Sequence, residues 1–282
     1  MKTSLINSFL ADKLPPNELE KVSGSFDVVG DIAIIKVPPV LDNRKDLIAE
    51  AVMKVNKTVN TVLNQKKPIT GKFRLRQLEH ILGERKTETL YREYGCVFKV
   101  DLAKAYFSPR LSYERMRVGK LVGRREVVVN MFAGVGCFSI VIAKHSPVRK
   151  VYSIDLNSDA IRLMRENISL NRVGLWVEAL EGDAKDVIEE RFLNKVDRVL
   201  MPLPAKAYAY LDLAVKALKA GQGDIHYYDF VHAGRGEKPI RKLVTKVGEK
   251  LGGLGIKYEV ASSRIVRTVG PNWYQIVLDI NV

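Results

Sequence analysis

The stretch EVVVNMFAGVGCFSIVIA, residues 126–143, decides the fold. It opens as a β-branched run suited to a buried strand, passes through Gly134 and Gly136, and continues as a second apolar run of helical length. Glycine between a buried strand and a helix lets backbone N–H groups and the helix N-terminus come close to a ligand, as dinucleotide sites do. The spacing is G-x-G, and the position of a third fingerprint glycine is held by Ser139.

The chain around this turn has a consistent grammar. SYERMRVGKLVG, from residue 112, reads as a helix. After the glycine turn come strand KVYSIDL, helix SDAIRLMRENISLNR and strands WVEALEGD and VDRVLMPLP, then helix AYAYLDLAVKALKAG and strand DIHYYDF. Strands alternating with helices specify an α/β fold, a Rossmann-like, mostly parallel sheet covered on both faces. A helix from about residue 237 and an antiparallel pair, KYEVASSRIVRT with NWYQIVLDINV, would complete it. Upstream, SFDVVGDIAIIKVPP reads as a hairpin around Gly30 and Asp31, RKDLIAEAVMKVNK as a helix and TVNTVLNQ as a strand. TETLYREYGCVFKVDLA gives two strands joined by a Tyr-Gly turn. The expected division is an N-terminal helical segment at 1–24, a small α+β module at 25–100 and the larger domain at 101–282.

Composition limits the function classes. No apolar run approaches the roughly 18 residues of a membrane span. The start, MKTSLINSFLADKLPPNELEK, turns acidic and amphipathic where a signal peptide would keep an apolar core, so a cytoplasmic chain without a membrane partner is expected. Cys96 and Cys137 lie far apart without His-rich neighbours and read as small packed side chains, with no disulfide framework and no metal site. The net charge is +14, and residues 51–125 hold 18 Lys and Arg against 6 Asp and Glu. Such a concentration is the footprint of a polyanion-binding face; a solvated lysine surface is the alternative on charge alone.

Two carboxylates sharpen the ligand. Asp155 ends the strand after the glycine turn, where an acid can hydrogen-bond ribose hydroxyls. Asp183, after the next strand, could accept from an adenine amino group, or it could simply cap the helix that follows.

With these segments the chain resembles the class I S-adenosylmethionine-dependent methyltransferases, and more specifically the archaeal and eukaryotic type of tRNA guanine-37 N1-methyltransferase. The resemblance covers residues 25–282. It rests on SFDVVGDIAII, GKFRLRQLEHILGE, DLAKAYFSPRLSYERMR, NMFAGVGCFSI, SIDLNSDAI, EGDAKDV, DRVLMPLPAKAYAYLDLA and DIHYYDF, eight segments in the same order. It implies cofactor contacts at Tyr106 and Arg110, at Phe132, Gly134, Val135 and Gly136, at Asp155, Leu156 and Asn157, at Asp183, and at Pro202, Leu203 and Pro204. It also implies Glu114 as general base and Arg74 as catalytic arginine.

Those roles suit the chemistry. Guanine N1 carries a proton at neutral pH, so methylation there needs a base to remove it and a donor for the charge that moves onto O6. Glu114 follows Arg110 by one turn, which would set both on one helical face. Read without the resemblance, Glu114 is better taken as a surface ion pair with Arg110 or Arg117. Two departures qualify the match. Pro202 stands where the family has an asparagine, removing a side-chain amide. Only 24 residues precede SFDVVGD, where many archaeal members carry a further domain that reads the outer corner of tRNA, so weaker checking of tRNA shape is expected. The expected partner is the tRNA anticodon arm, bound by a monomer. The alternatives are the related aminocarboxypropyl transferase of the wybutosine pathway, a methyltransferase also acting on a tricyclic guanosine derivative, and a noncatalytic RNA-binding protein with a vestigial pocket.

Overall fold

A computed structural model describes residues 2–69 and 71–282, with side chains from residue 5 onward. The chain forms two compact units, Met1–Arg110 and Leu111–Val282.

The first unit begins with α1 (Lys2–Leu10) and the single turn α2 (Pro16–Leu19). The hairpin β1 (Asp27–Val29) and β2 (Ile32–Ile35) turns at Gly30, and α3 (Lys45–Val55) crosses over to β3 (Thr61–Gln65), which lies parallel to β2. β4 (Leu78–Gly83) adds an antiparallel edge and completes the order β1-β2-β3-β4. β4 is absent from the pattern reading because its first five residues are all half-buried, so its side chains show no alternation. β5 (Glu88–Glu93) and β6 (Cys96–Asp101) form the hairpin expected at the Tyr-Gly turn.

Two boundaries differ from those drawn on composition. The N-terminal helical segment is part of the module: Ile6, Leu10 and Leu14 are buried in one cluster with Leu41, Ala51 and Val52. Residues 101–110 also fold with the first unit. Leu102 N–H donates to the Thr87 carbonyl (2.9 Å), the Thr87 hydroxyl to Asp101 Oδ1 (2.8 Å), and Arg110 Nε to Asp27 Oδ1 (2.7 Å). The alternation of helices and strands begins only at residue 112, and these hydrogen bonds tie residues 101–110 to the chain before them.

In the second unit α4 (Ser112–Leu121) leads into β7 (Val127–Asn130), α5 (Cys137–His145), β8 (Lys150–Asp155), α6 (Ser158–Leu170) and β9 (Val177–Glu181). Then come α7 (Ala184–Arg191), β10 (Arg198–Met201), α8 (Pro204–Ala217), β11 (Asp224–His232), α9 (Pro239–Gly253), β12 (Glu259–Gly270) and β13 (Trp273–Asn281). The sheet order is β12-β13-β11-β10-β7-β8-β9, parallel from β9 to β11, with the last two strands antiparallel. Side chains from α7, α8 and α9 share a core with one sheet face, Ile188, Leu211 and Leu243 meeting Val129, Val199 and Ile276. Strand order reverses between β7 and β10, and in such sheets the crevice beyond the strand ends at this switch point is where ligands bind. Among the described residues no helix is long and apolar enough to cross a membrane.

Leu10 is fully buried, so Leu10→Ala should destabilise the first unit by about 2–5 kcal/mol. Urea unfolding checks this; an unchanged midpoint would mean that α1 is not part of the core.

Candidate active site

The switch point is built from four chain crossings. After β7, Met131 N–H reaches the Leu200 carbonyl (3.0 Å) and Ala133 N–H the Ile154 carbonyl (2.8 Å), so the turn is stitched to both neighbouring strands. Gly136 has φ +88° and gives α5 no side-chain cap, and a helix N-terminus at such a turn suits an anionic or polar ligand. Ser139, in the place of a third fingerprint glycine, has a packing role. Its buried hydroxyl accepts from Asn130 Nδ2 (3.2 Å) and from the Ser153 hydroxyl (2.7 Å), pinning α5 to β7 and β8. Val135 is buried, and its carbonyl accepts from Asn167 of α6 (3.0 Å).

Asp155 stands at the end of β8. Its Oδ2 accepts from Gly134 N–H (2.6 Å) and its Oδ1 from Asn157 N–H (2.9 Å). Burial pushes its carboxyl above the usual aspartate range, against the backbone N–H groups of Asn157, Gly134 and Leu156, which favour the charge. Lone pairs remain on both oxygens for a vicinal diol. Asn157 caps α6 by accepting from Asp159 N–H (3.1 Å). Asp183 does cap α7, accepting from Lys185 N–H (2.9 Å), and the same Oδ1 takes the Tyr210 hydroxyl (2.8 Å). Its Oδ2 has no partner among the described residues, which suits an exocyclic amino group. Phe132 stands edge-on to the Tyr210 ring at 5.3 Å. Burial and the hydrogen bond to Asp183 push the Tyr210 hydroxyl up to about 12. Pro202 and Leu203 follow β10 half-buried, and Pro204 is the buried first residue of α8.

Glu114 lies on the same unit, in the first turn of α4, and is only 1% exposed. Its Oε1 accepts from the Tyr228 hydroxyl (2.7 Å) and from Arg117 Nη2 (2.8 Å) and Nε (3.2 Å). Its Oε2 has only longer contacts, to Arg117 Nε (3.1 Å) and Arg264 Nη1 (3.2 Å). Arg117 spans the gap to Asp279 with Nη1–Oδ2 2.5 Å and Nη2–Oδ1 3.0 Å. Asp279 also meets His226 Nδ1 (2.6 Å), and His226 Nε2 meets Arg198 Nη1 (2.8 Å). Arginine only donates, so Nε2 is the acceptor and Nδ1 carries the proton given to Asp279. Burial raises the Asp279 carboxyl, but His226 and Arg117 outweigh it and hold the group well below the usual range. Burial, and then the Glu114 charge, push the Tyr228 hydroxyl far above its ordinary value. The Tyr228 ring faces Phe138 of α5 at 6.1 Å, which sets the Glu114 cluster beside the helix that follows the glycine turn.

The structure thus gathers Glu114, Phe132, Gly134, Val135, Gly136, Asp155, Leu156, Asn157, Asp183, Pro202, Leu203 and Pro204 in the second unit, while Arg74, Tyr106 and Arg110 belong to the first. Arg74 has φ +53°, and its guanidinium lies 5.3 Å from the Tyr106 ring. Arg110 and Glu114 do not share a helical face. α4 begins only at Ser112, Arg110 sits in the preceding 3-10 turn and bonds Asp27, and Glu114 turns inward to Arg117. The sequence reading missed Tyr210, Tyr228, Arg264, His226 and Asp279. The last two carried a signal, polar residues inside the apolar strand runs DIHYYDF and QIVLDINV.

Residues 89–252 match the family described as the TRM5/TYW2 methyltransferase domain, and residues 6–87 match the TYW2 N-terminal domain. The chain is 41% identical over 268 residues to tRNA (guanine(37)-N(1))-methyltransferase Trm5b of Pyrococcus abyssi, covering 95% of this chain and 78% of that protein. The crystal structure of that Trm5b superposes with a TM-score of 0.84 at 40% identity, over 95% of this chain and 78% of that one. Similarity to tRNA 4-demethylwyosine(37)-methyltransferase Taw21 of Saccharolobus solfataricus is 38% over 259 residues, covering 90% of this chain and 92% of that protein. The structure of the complex of aTrm5 and tRNALeu gives a TM-score of 0.85 at 34% identity, over 100% of this chain and 79% of that one.

The buried ion chain makes a stability prediction. Asp279→Asn removes one partner of a buried pair and should cost about 3 kcal/mol at neutral pH. Because the folded carboxyl is depressed, its contribution is complete above the unfolded value near 3.8 and is lost as pH falls through the folded one. Denaturation midpoints of parent and variant should therefore stay apart between about pH 6 and 8 and converge below about pH 4. A gap that is constant down to acid pH would remove Asp279 from the linkage.

Proposed function

Because the chain belongs to the TRM5/TYW2 methyltransferase family, we propose that it transfers a methyl group from S-adenosylmethionine to N1 of guanosine 37, beside the anticodon of tRNA. The observation that carries the cofactor assignment is the Gly134 N–H bond to Asp155 at the switch point, which holds a carboxylate with free lone pairs beside an uncapped helix start. Asp155 would hold the ribose hydroxyls, Asp183 Oδ2 the adenine amino group, and Phe132 an edge of the adenine. Leu156 and Asn157 line the turn after β8, and residues 202–204 border the reacting end. S-adenosylmethionine supplies an electrophilic methyl group on a sulfonium.

Glu114 takes the guanine N1 proton, and Arg74 donates to O6 as negative charge develops there. Tyr106 and Arg110 complete the family's contact set from the first unit. The basic residues of 51–125 bind the backbone of the anticodon arm, and the protein acts as a monomer. A second base at the same position, the tricyclic 4-demethylwyosine that the name of the Saccharolobus relative carries, is favoured by Pro202. An apolar ring in place of an asparagine removes a polar contact and suits a larger apolar base edge.

Asp155→Ala removes a charge-assisted pair worth about 1.5–3 kcal/mol, so calorimetric titration should show cofactor binding weakened about tenfold or more. Unchanged affinity would take Asp155 out of the site. Glu114→Gln should slow single-turnover transfer on the order of 10² to 10⁴ with little change in tRNA affinity, and Arg74→Ala should act on rate more than on binding. Parallel losses in rate and affinity would mark either residue as structural. Nucleoside mass spectrometry of the product should show one added methyl on tRNA carrying guanosine or the tricyclic base; a gain matching an aminocarboxypropyl group would overturn the assignment.

A further inference from the structure

Glu114 cannot act as it stands, because every lone pair that could meet a guanine is occupied. The two oxygens are not equivalent. Oε1 is closed by the buried Tyr228 hydroxyl and by Arg117, whose guanidinium is itself tied to both oxygens of Asp279. Oε2 is held by the longer contacts to Arg117 Nε and to Arg264 Nη1 at 3.2 Å. Of the three donor residues, Arg264 alone sits on the edge strand β12, whose residues are exposed or half-buried along its whole length. Its side chain is 31% exposed, and its guanidinium lies 4.7 Å from the ring of Tyr113, itself 65% exposed.

Resting on the proposed function, we propose that Arg264 is a further catalytic residue: it covers Oε2 in the free enzyme, yields that oxygen to guanine N1–H, and then donates to O6. Guanine presents N1–H and O6 on adjacent ring atoms. A base whose N1–H replaces Arg264 Nη1 on Oε2 therefore brings O6 to the freed guanidinium, which Tyr113 keeps at the mouth of the site. The proton moves from N1 to Glu114 Oε2, and the electron pair left on the base spreads over N1 and O6. A guanidinium beside O6 stabilises that charge where it forms, and a planar fork suits the purpose better than a point charge. Charge stays paired through the exchange: Glu114 becomes neutral as it takes the proton, and the negative charge it loses appears on the base, where the freed Arg264 guanidinium stands.

The test uses the full chain, S-adenosylmethionine and a tRNA transcript, in single turnover at saturating enzyme. Arg264→Ala should be slower by about tenfold or more, with tRNA and cofactor affinities within about twofold of the parent, and Arg264→Lys should recover part of the rate. A transcript carrying 6-thioguanosine at the target position, a poorer acceptor, should be penalised less in Arg264→Ala than in the parent, because the contact to O6 is already missing. If Arg264→Ala perturbs the melting temperature or cofactor affinity, Arg264→Gln, which keeps a shorter polar side chain without the charge, is read against the same two criteria. A rate equal to or above the parent's would make Arg264 only a cover for Glu114, and equal sulfur penalties would exclude contact with O6; either overturns the proposal. A parent chain that methylates no transcript would refute the proposed function itself, which is distinct from an active parent matched by an equally active Arg264→Ala.

Discussion

The position of Arg117 between two carboxylates governs the second unit. Four formal charges on Glu114, Arg117, Asp279 and Arg198 lie buried or nearly so, where an unpaired ion costs several kcal/mol. Arg117 satisfies Glu114 and Asp279 together, His226 bridges Asp279 to Arg198, and Arg198 is anchored in turn by Glu126 (2.7 Å) and Asp224 (2.7 Å). Each member leaves a worse state if it moves alone, so α4, β10, β11 and β13 are locked in one register. Burial of this kind is weak support for stability in itself, since a well-packed apolar cluster of the same volume would serve as well. Its retention in the fold makes sense if one carboxylate has to remain charged and fixed in position.

The glycine turn is fixed by the opposite strategy. No ion pair holds residues 131–136; backbone groups and small hydroxyls do. Ala133 and Gly134 bond to β8 and its terminal aspartate, and Asn130, Ser139 and Ser153 form a buried neutral chain beneath them. The Gly136 conformation at φ +88° excludes most side chains, and a Cβ there would fall 2.7 Å from Met164 Cγ. This floor is neutral, and the charged group beside it is the Asp155 carboxylate at the end of β8.

The two halves of the site therefore divide the work. Backbone geometry shapes the glycine turn beside Asp155, while a set of long-range ion pairs fixes the Glu114 carboxylate. Tyr228 and Phe138 join them: Phe138 belongs to the helix that follows the turn, and Tyr228 touches both its ring and the Glu114 carboxylate.

The pattern of residues settled what depends on near neighbours. Alternation, helical spacing and glycines placed the parallel sheet, the turn at Gly134 and Gly136, and Asp155 at a strand end, because each is a property of a few consecutive residues. Where spacing was stretched across a helix start it failed: Arg110 and Glu114 lie four apart, yet a 3-10 turn intervenes and they take separate partners. β4 was illegible because a strand half-buried on both faces does not alternate. The surroundings of Glu114 were decided only by tertiary structure. Tyr228 lies 114 residues away and Arg264 150 away, and they reach one carboxylate because β11 and β12 return to the same sheet. Local periodicity encodes which face of an element is buried; which charges meet there depends on sheet order, which no short window of sequence contains.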